Sequence, residues 1–213
     1  MPTTRMIDTA PLRLGAPLDS ADGTVVFVHG RDQTPVFMAE AVARLALPRL
    51  HYVLPEARGN TWYPRSFLAA IEENEPALSA SIDALDALLA DLGGAAADRI
   101  VLGGFSQGAC LTAELLVRRP RRLAGAIVWT GGLIGPAGTA WPRRPLLAGT
   151  DILVSGSDVD PFVPDWRTQE TARHFAACGC KVATRILPGR AHEIADAEID
   201  AARTLLARVL PPR

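Results

Sequence analysis

Cysteine is scarce in this chain, and its scarcity limits the class of protein. The three cysteines, Cys110, Cys178 and Cys180, cannot all pair within one chain and are too few for a disulfide scaffold. Residues 1–16 contain no apolar block that would indicate a secretory signal. No run of about 18 uncharged apolar residues predicts a transmembrane helix. We therefore expect a cytoplasmic protein of a reducing compartment, without membrane insertion.

An excess of either charge is also absent. The chain has 22 Lys and Arg residues against 23 Asp and Glu residues, with a formal net charge of -1. Binding to the phosphate backbone of nucleic acids needs a basic surface, so we expect no nucleic-acid partner. The length of 213 residues fits a single domain, 1–213, with 1–20 as an N-terminal extension or edge segment. The oligomeric state is left open, with a homodimer as one option.

Short apolar segments alternate with longer amphipathic ones along the chain. Val25-Val26-Phe27-Val28 and Ala126-Ile127-Val128-Trp129 are continuous apolar runs, typical of strands that are covered on both faces. The alternation predicts an α/β fold with a mostly parallel central sheet and helices on both faces. The predicted strands are Thr24–His29, Leu50–Leu54, Arg99–Leu102, Ala126–Trp129, Asp151–Val154 and Lys181–Leu187. Helices are predicted from Pro76 to Gly93-Gly94, from Ser106 to Arg119, and from Ile194 to Val209, with 131–149 as a loop.

The segment Gly104-Phe105-Ser106-Gln107-Gly108 has the pattern of a nucleophile turn. It follows a predicted strand and opens an apolar helix, which is the context in which G-x-S-x-G projects a serine hydroxyl above a sheet. A structural turn without chemistry is the alternative. Ser106 is therefore the candidate nucleophile.

A serine nucleophile needs a histidine base, which a carboxylate holds in one tautomer. His192 follows the last predicted strand and is the candidate base, whereas His29, His51 and His174 are predicted to be structural. The carboxylate should come from the loop after Ile152-Leu153-Val154, where Asp158 and Asp160 compete. Asp160 is favoured because Pro161 restricts its backbone to extended conformations, and Asp158 stays open as a turn-forming or catalytic alternative.

An oxyanion hole completes this chemistry with two backbone amides. One amide is expected from Gln107, the residue after the nucleophile. The other is expected from Arg31, in the loop after the first predicted strand, where Gly30 lets the chain turn. A simple strand-ending turn is the alternative for His29-Gly30.

These segments together resemble the phospholipase/carboxylesterase family of α/β-hydrolases, which includes the acyl-protein thioesterases. The matching residues are Val26–Gly30, Arg99–Ala109, Asp160-Pro161-Phe162-Val163-Pro164 and Pro188–His192. The resemblance implies an α/β-hydrolase fold, Ser106 as nucleophile, Asp160 and His192 as its partners, and the amides of Arg31 and Gln107 as oxyanion donors. It also favours Asp160 independently, because the family aspartate directly precedes Pro-x-Val-Pro.

The chain departs from the thioesterase branch in the loop after the first strand. That branch has a second glycine followed by Asp, where this chain has Arg31-Asp32, which indicates a differently shaped acyl pocket. Trp62, in a segment similar to the family's pocket segment, and Gly30 are predicted to border the substrate. A core position is the equal alternative for Trp62.

The sequence thus predicts a serine carboxylesterase for small to medium esters, with a minimal lid or none and no metal or organic cofactor. His174, Cys178 and Cys180 offer three metal-ligating side chains, where structural zinc normally takes four. The alternatives are an acyl thioesterase or lysophospholipase-type hydrolase and, more distantly, a non-catalytic ligand-binding protein of the same fold.

Overall fold

The fold is a seven-stranded sheet with helices on both faces. The computed structural model describes residues 6–7, 10–93 and 97–213. Gly94, predicted to end a helix, and part of the predicted segment 1–20 lie outside the described residues. In chain order the elements are β1 (Leu12–Gly15), β2 (Thr24–Val28), α1 (Pro35–Leu45), β3 (His51–Leu54), α2 (Ala77–Gly93), β4 (Ile100–Phe105), α3 (Gln107–Arg118), β5 (Gly125–Trp129), β6 (Asp151–Ser157), α4 (Asp165–Ala177), β7 (Lys181–Leu187) and α5 (Asp196–Val209).

The strand order in the sheet is β1-β3-β2-β4-β5-β6-β7. β1 is antiparallel to β3, and all other neighbouring strands are parallel. The carboxyl ends of the parallel strands therefore lie at one edge of the sheet. The loops that carry the candidate catalytic residues follow β4, β6 and β7, so they meet at that edge.

Both faces of the sheet are covered by apolar side chains. Val26 and Val28 of β2 belong to the core beneath α2, α3 and α4, whereas Val25 and Phe27 belong to the core beneath α1 and α5. Successive side chains of a strand point to opposite faces, so a strand buried on both sides needs apolar residues at every position. This packing accounts for the continuous apolar runs and confirms the predicted α/β class.

Bounds for three elements, β1, α1 and α4, were not predicted from the sequence. β1 is a four-residue edge strand with mostly exposed side chains, so it carries little hydrophobic pattern. α1 begins with Pro35 and buries one face that includes Met38, Val42 and Leu45. β4 and β6 also extend to Phe105 and Ser157, three residues beyond their predicted ends. The extension brings these strands directly to the functional loops.

No described helix combines the length and the hydrophobicity needed to cross a lipid bilayer. The segment 131–149 is irregular apart from a short 3₁₀ turn at Pro145–Leu147.

Candidate active site

Ser106 stands in a sharp turn between β4 and α3. Its backbone has φ 52° and ψ -118°, a conformation that non-glycine residues rarely adopt. The Ser106 amide donates to the Trp129 carbonyl at 3.0 Å. A Cβ on Gly108 would lie 2.2 Å from the Val28 carbonyl oxygen, so glycine is needed for α3 to start so close to the end of β2. The sequence pattern G-x-S-x-G therefore corresponds to a strained turn with tight packing around it.

The structure brings Ser106, His192 and Asp160 into one hydrogen-bonded row. Ser106 Oγ lies 2.9 Å from His192 Nε2, and His192 Nδ1 lies 2.7 Å from Asp160 Oδ2. The Asp160 side chain is fully buried, whereas that of His192 is 19% exposed. With Nδ1 donating to the carboxylate, Nε2 of a neutral imidazole is free to accept a proton from the serine hydroxyl.

Asp160 and Asp158 occupy different positions in the loop after β6. Asp160 Oδ1 accepts hydrogen bonds from the amides of Phe162 and Val163, both at 2.9 Å, so the carboxylate is fixed in direction. Asp158 Oδ1 accepts instead from the Gly189 amide at 2.7 Å. The two carboxylates therefore separate into one that contacts the histidine ring and one that links two loops.

The His192 ring also contacts two aromatic side chains. Its centroid lies 5.0 Å from that of Phe105 and 4.9 Å from that of Phe162. Phe162 is 65% exposed although it touches the imidazole, so this ring forms an apolar rim beside the candidate base.

Arg31 and Gln107, the predicted oxyanion donors, border the same cavity as Ser106. Gln107 is the first residue of α3, where a backbone amide has no acceptor within its own helix. Arg31 follows Gly30, whose amide donates to Gln33 Oε1 at 2.9 Å and so shapes the turn.

The side chains of Arg31 and Gln107 both hold the segment 61–65. The Arg31 guanidinium donates to the carbonyls of Tyr63, Pro64 and Arg65 at 2.9, 3.1 and 2.7 Å. Gln107 Oε1 accepts from the Trp62 amide at 3.0 Å, and Gln107 Nε2 donates to the Tyr63 carbonyl at 2.7 Å. One wall of the site is thus fastened to both candidate oxyanion residues, a role that the sequence did not indicate for Arg31.

Trp62 and Gly30 were predicted to border the substrate, but neither is among the residues that line the cavity. Trp62 is fully buried in the core, and its Nε1 donates to the His29 carbonyl at 2.9 Å. Its neighbour Tyr63 lines the cavity instead. Gly30 is buried, and a Cβ on it would be 3.2 Å from Ser106 Cβ. Trp62 therefore takes the core position that the sequence left as its equal alternative, and Gly30 permits a close approach of the loop to the serine.

The cavity beside Ser106 has a volume of about 550 Å³. This size lies within the usual range of small-molecule sites, about 300–1,000 Å³. Its walls combine apolar residues, among them Phe67, Phe162 and Val163, with the polar residues Arg65 and Ser66.

Cys110 lies one helical turn after Ser106 and also lines the cavity. Burial raises the pKa of its thiol to about 12, so the group is a neutral thiol at physiological pH. Burial also raises the pKa of Tyr63 well above its usual range. Neither group supplies an anion that would compete with Ser106 as nucleophile.

Two other histidines have structural contacts. His29 is fully buried, and its Nδ1 donates to the Gly30 carbonyl at 2.7 Å while Nε2 accepts from the Ala57 amide at 3.0 Å. His51 Nδ1 donates to the Ala16 carbonyl at 2.7 Å. Burial lowers the pKa of His29, which keeps this ring neutral.

The third histidine, His174, lies in the H-x-x-x-C-x-C segment with Cys178 and Cys180. His174 Nε2 is 3.7 Å from Cys178 Sγ, whereas Cys180 Sγ donates to the Leu147 carbonyl at 3.3 Å. His174 and Cys178 therefore lie at the end of α4, whereas the Cys180 thiol is bonded to the Leu147 carbonyl.

Arg190 is a buried residue near the site that the sequence analysis did not single out. It is 7% exposed, and its guanidinium donates to the carbonyls of Ala191 and Glu193, on both sides of His192. An arginine two residues before the candidate base was the available signal, but a sequence does not show that such a side chain folds inward.

The strand order, together with a serine in a strained turn after β4, defines an α/β-hydrolase fold. Residues 12–210 match the family model described as Phospholipase/Carboxylesterase. The chain belongs to this family, and it is therefore a hydrolase of the ester-cleaving type.

Relatives and solved structures agree with this placement. The chain is 29% identical to acyl-protein thioesterase 1 of Neurospora crassa, over 88% of this chain and 87% of that protein. It is 30% identical to acyl-protein thioesterase 1 of Gibberella zeae, over 54% of this chain and 50% of that protein. A crystal structure of a phospholipase/carboxylesterase from Dyadobacter fermentans is similar with a TM-score of 0.87 and 32% identity, over 96% of this chain and 99% of that chain.

Proposed function

We propose that the protein is a serine carboxylesterase that hydrolyses small to medium esters with Ser106, His192 and Asp160. The observation that carries the proposal is the hydrogen-bonded row from Ser106 Oγ through His192 to the buried Asp160, beside a cavity of about 550 Å³. The carboxylate fixes the histidine tautomer, so Nε2 faces the hydroxyl as an acceptor.

Acylation begins when Ser106 Oγ attacks the ester carbonyl and His192 Nε2 takes the hydroxyl proton. Asp160 stabilises the imidazolium that forms. The carbonyl oxygen becomes an oxyanion, which the amides of Arg31 and Gln107 are proposed to bind, and one such donor typically contributes about 3–4 kcal/mol to the transition state. His192 then protonates the leaving alcohol.

Deacylation repeats these steps with water as nucleophile. His192 accepts a proton from water, the hydroxide oxygen attacks the acyl carbonyl, and Ser106 leaves with the proton that His192 returns. The products are a carboxylic acid and the regenerated enzyme. Every step uses side chains and amides of this chain.

Thioester hydrolysis is the second candidate, since curated relatives carry the name acyl-protein thioesterase 1. The same nucleophile and oxyanion donors serve a thiolate leaving group. The Arg31 side chain, in the loop after β2, donates to the carbonyls of Tyr63 and Arg65 and forms part of the cavity wall next to Ser106. Oxygen and sulfur esters of matched acyl length, compared by kcat/KM, separate the two candidates.

Two assays test the proposal. A fluorophosphonate probe should label the protein covalently, and Ser106→Ala should abolish both the labelling and the turnover of p-nitrophenyl butyrate. Ser20 is an exposed serine whose hydroxyl donates to the Pro17 carbonyl, and Ser20→Ala is the matched control that should retain both. Labelling that persists in Ser106→Ala would refute the assignment, and folded wild-type protein without turnover or labelling would favour the ligand-binding alternative.

A further inference from the structure

A buried ion pair beneath the histidine loop has no part in the reaction steps above. Arg190 is 7% exposed and Glu198 is fully buried, and Arg190 Nε lies 3.5 Å from Glu198 Oε2. Burying two charges costs desolvation energy that their attraction offsets only when the geometry is good. Since 3.5 Å is a long contact and Nε makes no hydrogen bond, stabilisation of the fold is a weak explanation for this pair.

The other contacts of Arg190 point to the loop that carries His192. Nη1 donates to the carbonyl oxygens of Ala191 and Glu193, the latter at 2.7 Å, so one nitrogen binds both neighbours of the histidine. Nη2 donates to Thr130 Oγ1 at 2.7 Å. The peptide groups on both sides of His192 are thus fixed to the end of β5.

Arg190 and Thr130 also connect to the backbone segments next to Asp160 and Ser106. The Arg190 carbonyl accepts a hydrogen bond of 2.7 Å from Ser157 at the end of β6, three residues before Asp160. Thr130 directly follows Trp129, whose carbonyl accepts the Ser106 amide. Arg190 therefore connects the ends of β5 and β6 with the loop after β7, through its guanidinium to Thr130 and its backbone carbonyl to Ser157.

Glu198 holds this guanidinium from the side of α5. Its Oε1 accepts from Ser155 Oγ at 2.6 Å, and its Oε2 accepts from the Ala195 amide at 2.8 Å. Burial raises the pKa of Glu198, while the hydrogen bond from Ser155 and the charge of Arg190 oppose that rise. The carboxylate is thus fully occupied by partners that fix it in place.

We propose that Arg190 and Glu198 form a positioning pair that sets the distance of His192 from Ser106 and Asp160. The inference rests on the proposed function, because it requires His192 to be the base. A planar guanidinium can serve Thr130 and two carbonyls at once, which a single lysine ammonium cannot match in geometry. Small displacements matter, since a shift of about 1 Å in a reacting group can reduce the rate about 100-fold.

The central test compares Arg190→Lys with the double variant Arg190→Met/Glu198→Leu. The double variant removes both buried charges, so it leaves no unpaired ion and keeps the apolar volume. Arg99→Lys is the matched control, because Arg99 also donates to two carbonyls, those of Asp22 and Pro211, outside the three catalytic loops. The readouts are kcat and KM for p-nitrophenyl butyrate, the rate of fluorophosphonate labelling, and the thermal midpoint.

The positioning role predicts that kcat and the labelling rate fall about 10- to 100-fold in Arg190→Lys, whereas KM changes less than about twofold. The double variant should recover the thermal midpoint relative to Arg190→Met alone but not kcat. Arg99→Lys should keep kcat. A folded Arg190→Lys protein with kcat within twofold of wild type would overturn the inference, and so would a double variant that recovers kcat together with stability.

A milder variant keeps the test decisive if Arg190→Lys fails to fold. Thr130→Val removes the hydrogen bond that Oγ1 accepts from Arg190 Nη2, together with the hydroxyl's interaction with Glu198, and preserves the branched shape of the side chain. It should lower kcat about threefold to tenfold at unchanged KM, and an unchanged kcat contradicts the proposal. If wild-type protein shows neither turnover nor labelling, the proposed function fails. If wild type is active and the Arg190 and Thr130 variants match it, only the positioning role fails.

Discussion

The strained backbone at position 106 predicts that Ser106→Gly is more stable than Ser106→Ala. Ser106 has φ 52° and ψ -118°, and a non-glycine residue held in such a region costs about 1–3 kcal/mol. Glycine adopts positive φ freely, but it loses about 0.4–1 kcal/mol through the greater entropy of the unfolded chain. The expected net gain is roughly 1 kcal/mol over a side chain that keeps the strain.

The proper reference for Ser106→Gly is Ser106→Ala. Both variants lose the hydrogen bond between Ser106 Oγ and His192, but only glycine also relieves the backbone. In a domain of this size, about 1 kcal/mol corresponds to roughly 2–4 °C in thermal midpoint. Differential scanning calorimetry of the two inactive variants measures this difference directly.

A second glycine and alanine pair gives the control with the opposite sign. Ser79 lies in α2, and glycine in a helix is less favourable than alanine by up to about 1 kcal/mol. Ser79→Gly should therefore melt below Ser79→Ala, whereas Ser106→Gly should melt above Ser106→Ala. If Ser106→Gly melts at or below Ser106→Ala, the turn does not store the strain inferred from its dihedral angles.

Three further predictions concern the loops around the serine. Asp160→Asn should lower kcat by about 10³- to 10⁴-fold because the histidine loses the partner that fixes its tautomer. Asp158→Asn alters the contact with the Gly189 amide and should lower kcat less than about fivefold. Similar losses of kcat in the two variants, measured by steady-state kinetics, would contradict this prediction. Gly30→Ala would place a Cβ 2.7 Å from Gln33 Oε1 and 3.2 Å from Ser106 Cβ, so kcat should fall about tenfold or more, and normal turnover would show that the loop tolerates the displacement. Burial lowers the pKa of His29, so the unfolded chain binds the extra proton below about pH 6.5, and the unfolding free energy should fall as the pH is lowered through that value. Urea unfolding at pH 7.5 and 5.5 should show a smaller pH effect in His29→Gln than in wild type, and an equal effect would exclude this origin.

The sequence determined the sheet because its central strands must be apolar at every position. Val25 to Val28 face two cores in alternation, and this burial leaves a pattern that the sequence displays. β1 left no such pattern, since its side chains are mostly exposed. The fold class can therefore be predicted from the apolar pattern of buried strands, whereas an exposed edge strand has no such pattern and is not predicted.

The sequence also indicated which residues meet at the site, because the chemistry restricts them to loops at the carboxyl ends of strands. Ser106, Asp160 and His192 were placed by motif and chain order, and the structure brings them within hydrogen-bond distance. From the sequence, the choice of Asp160 over Asp158 rested on the backbone restriction imposed by Pro161 and on the pattern of the family. The structure shows why they differ, since only one carboxylate reaches the imidazole.

Tertiary structure alone decided where the large and charged side chains point. Trp62 could have faced the substrate or the core, and only the packing of its indole against His29 places it inside. Arg190 reads as a surface residue in the sequence, yet it is buried against Glu198, which is eight residues further along the chain. The sequence thus determined the fold class and the chain order of the candidate catalytic groups, which depend on local pattern, whereas side-chain orientation depended on contacts between distant segments.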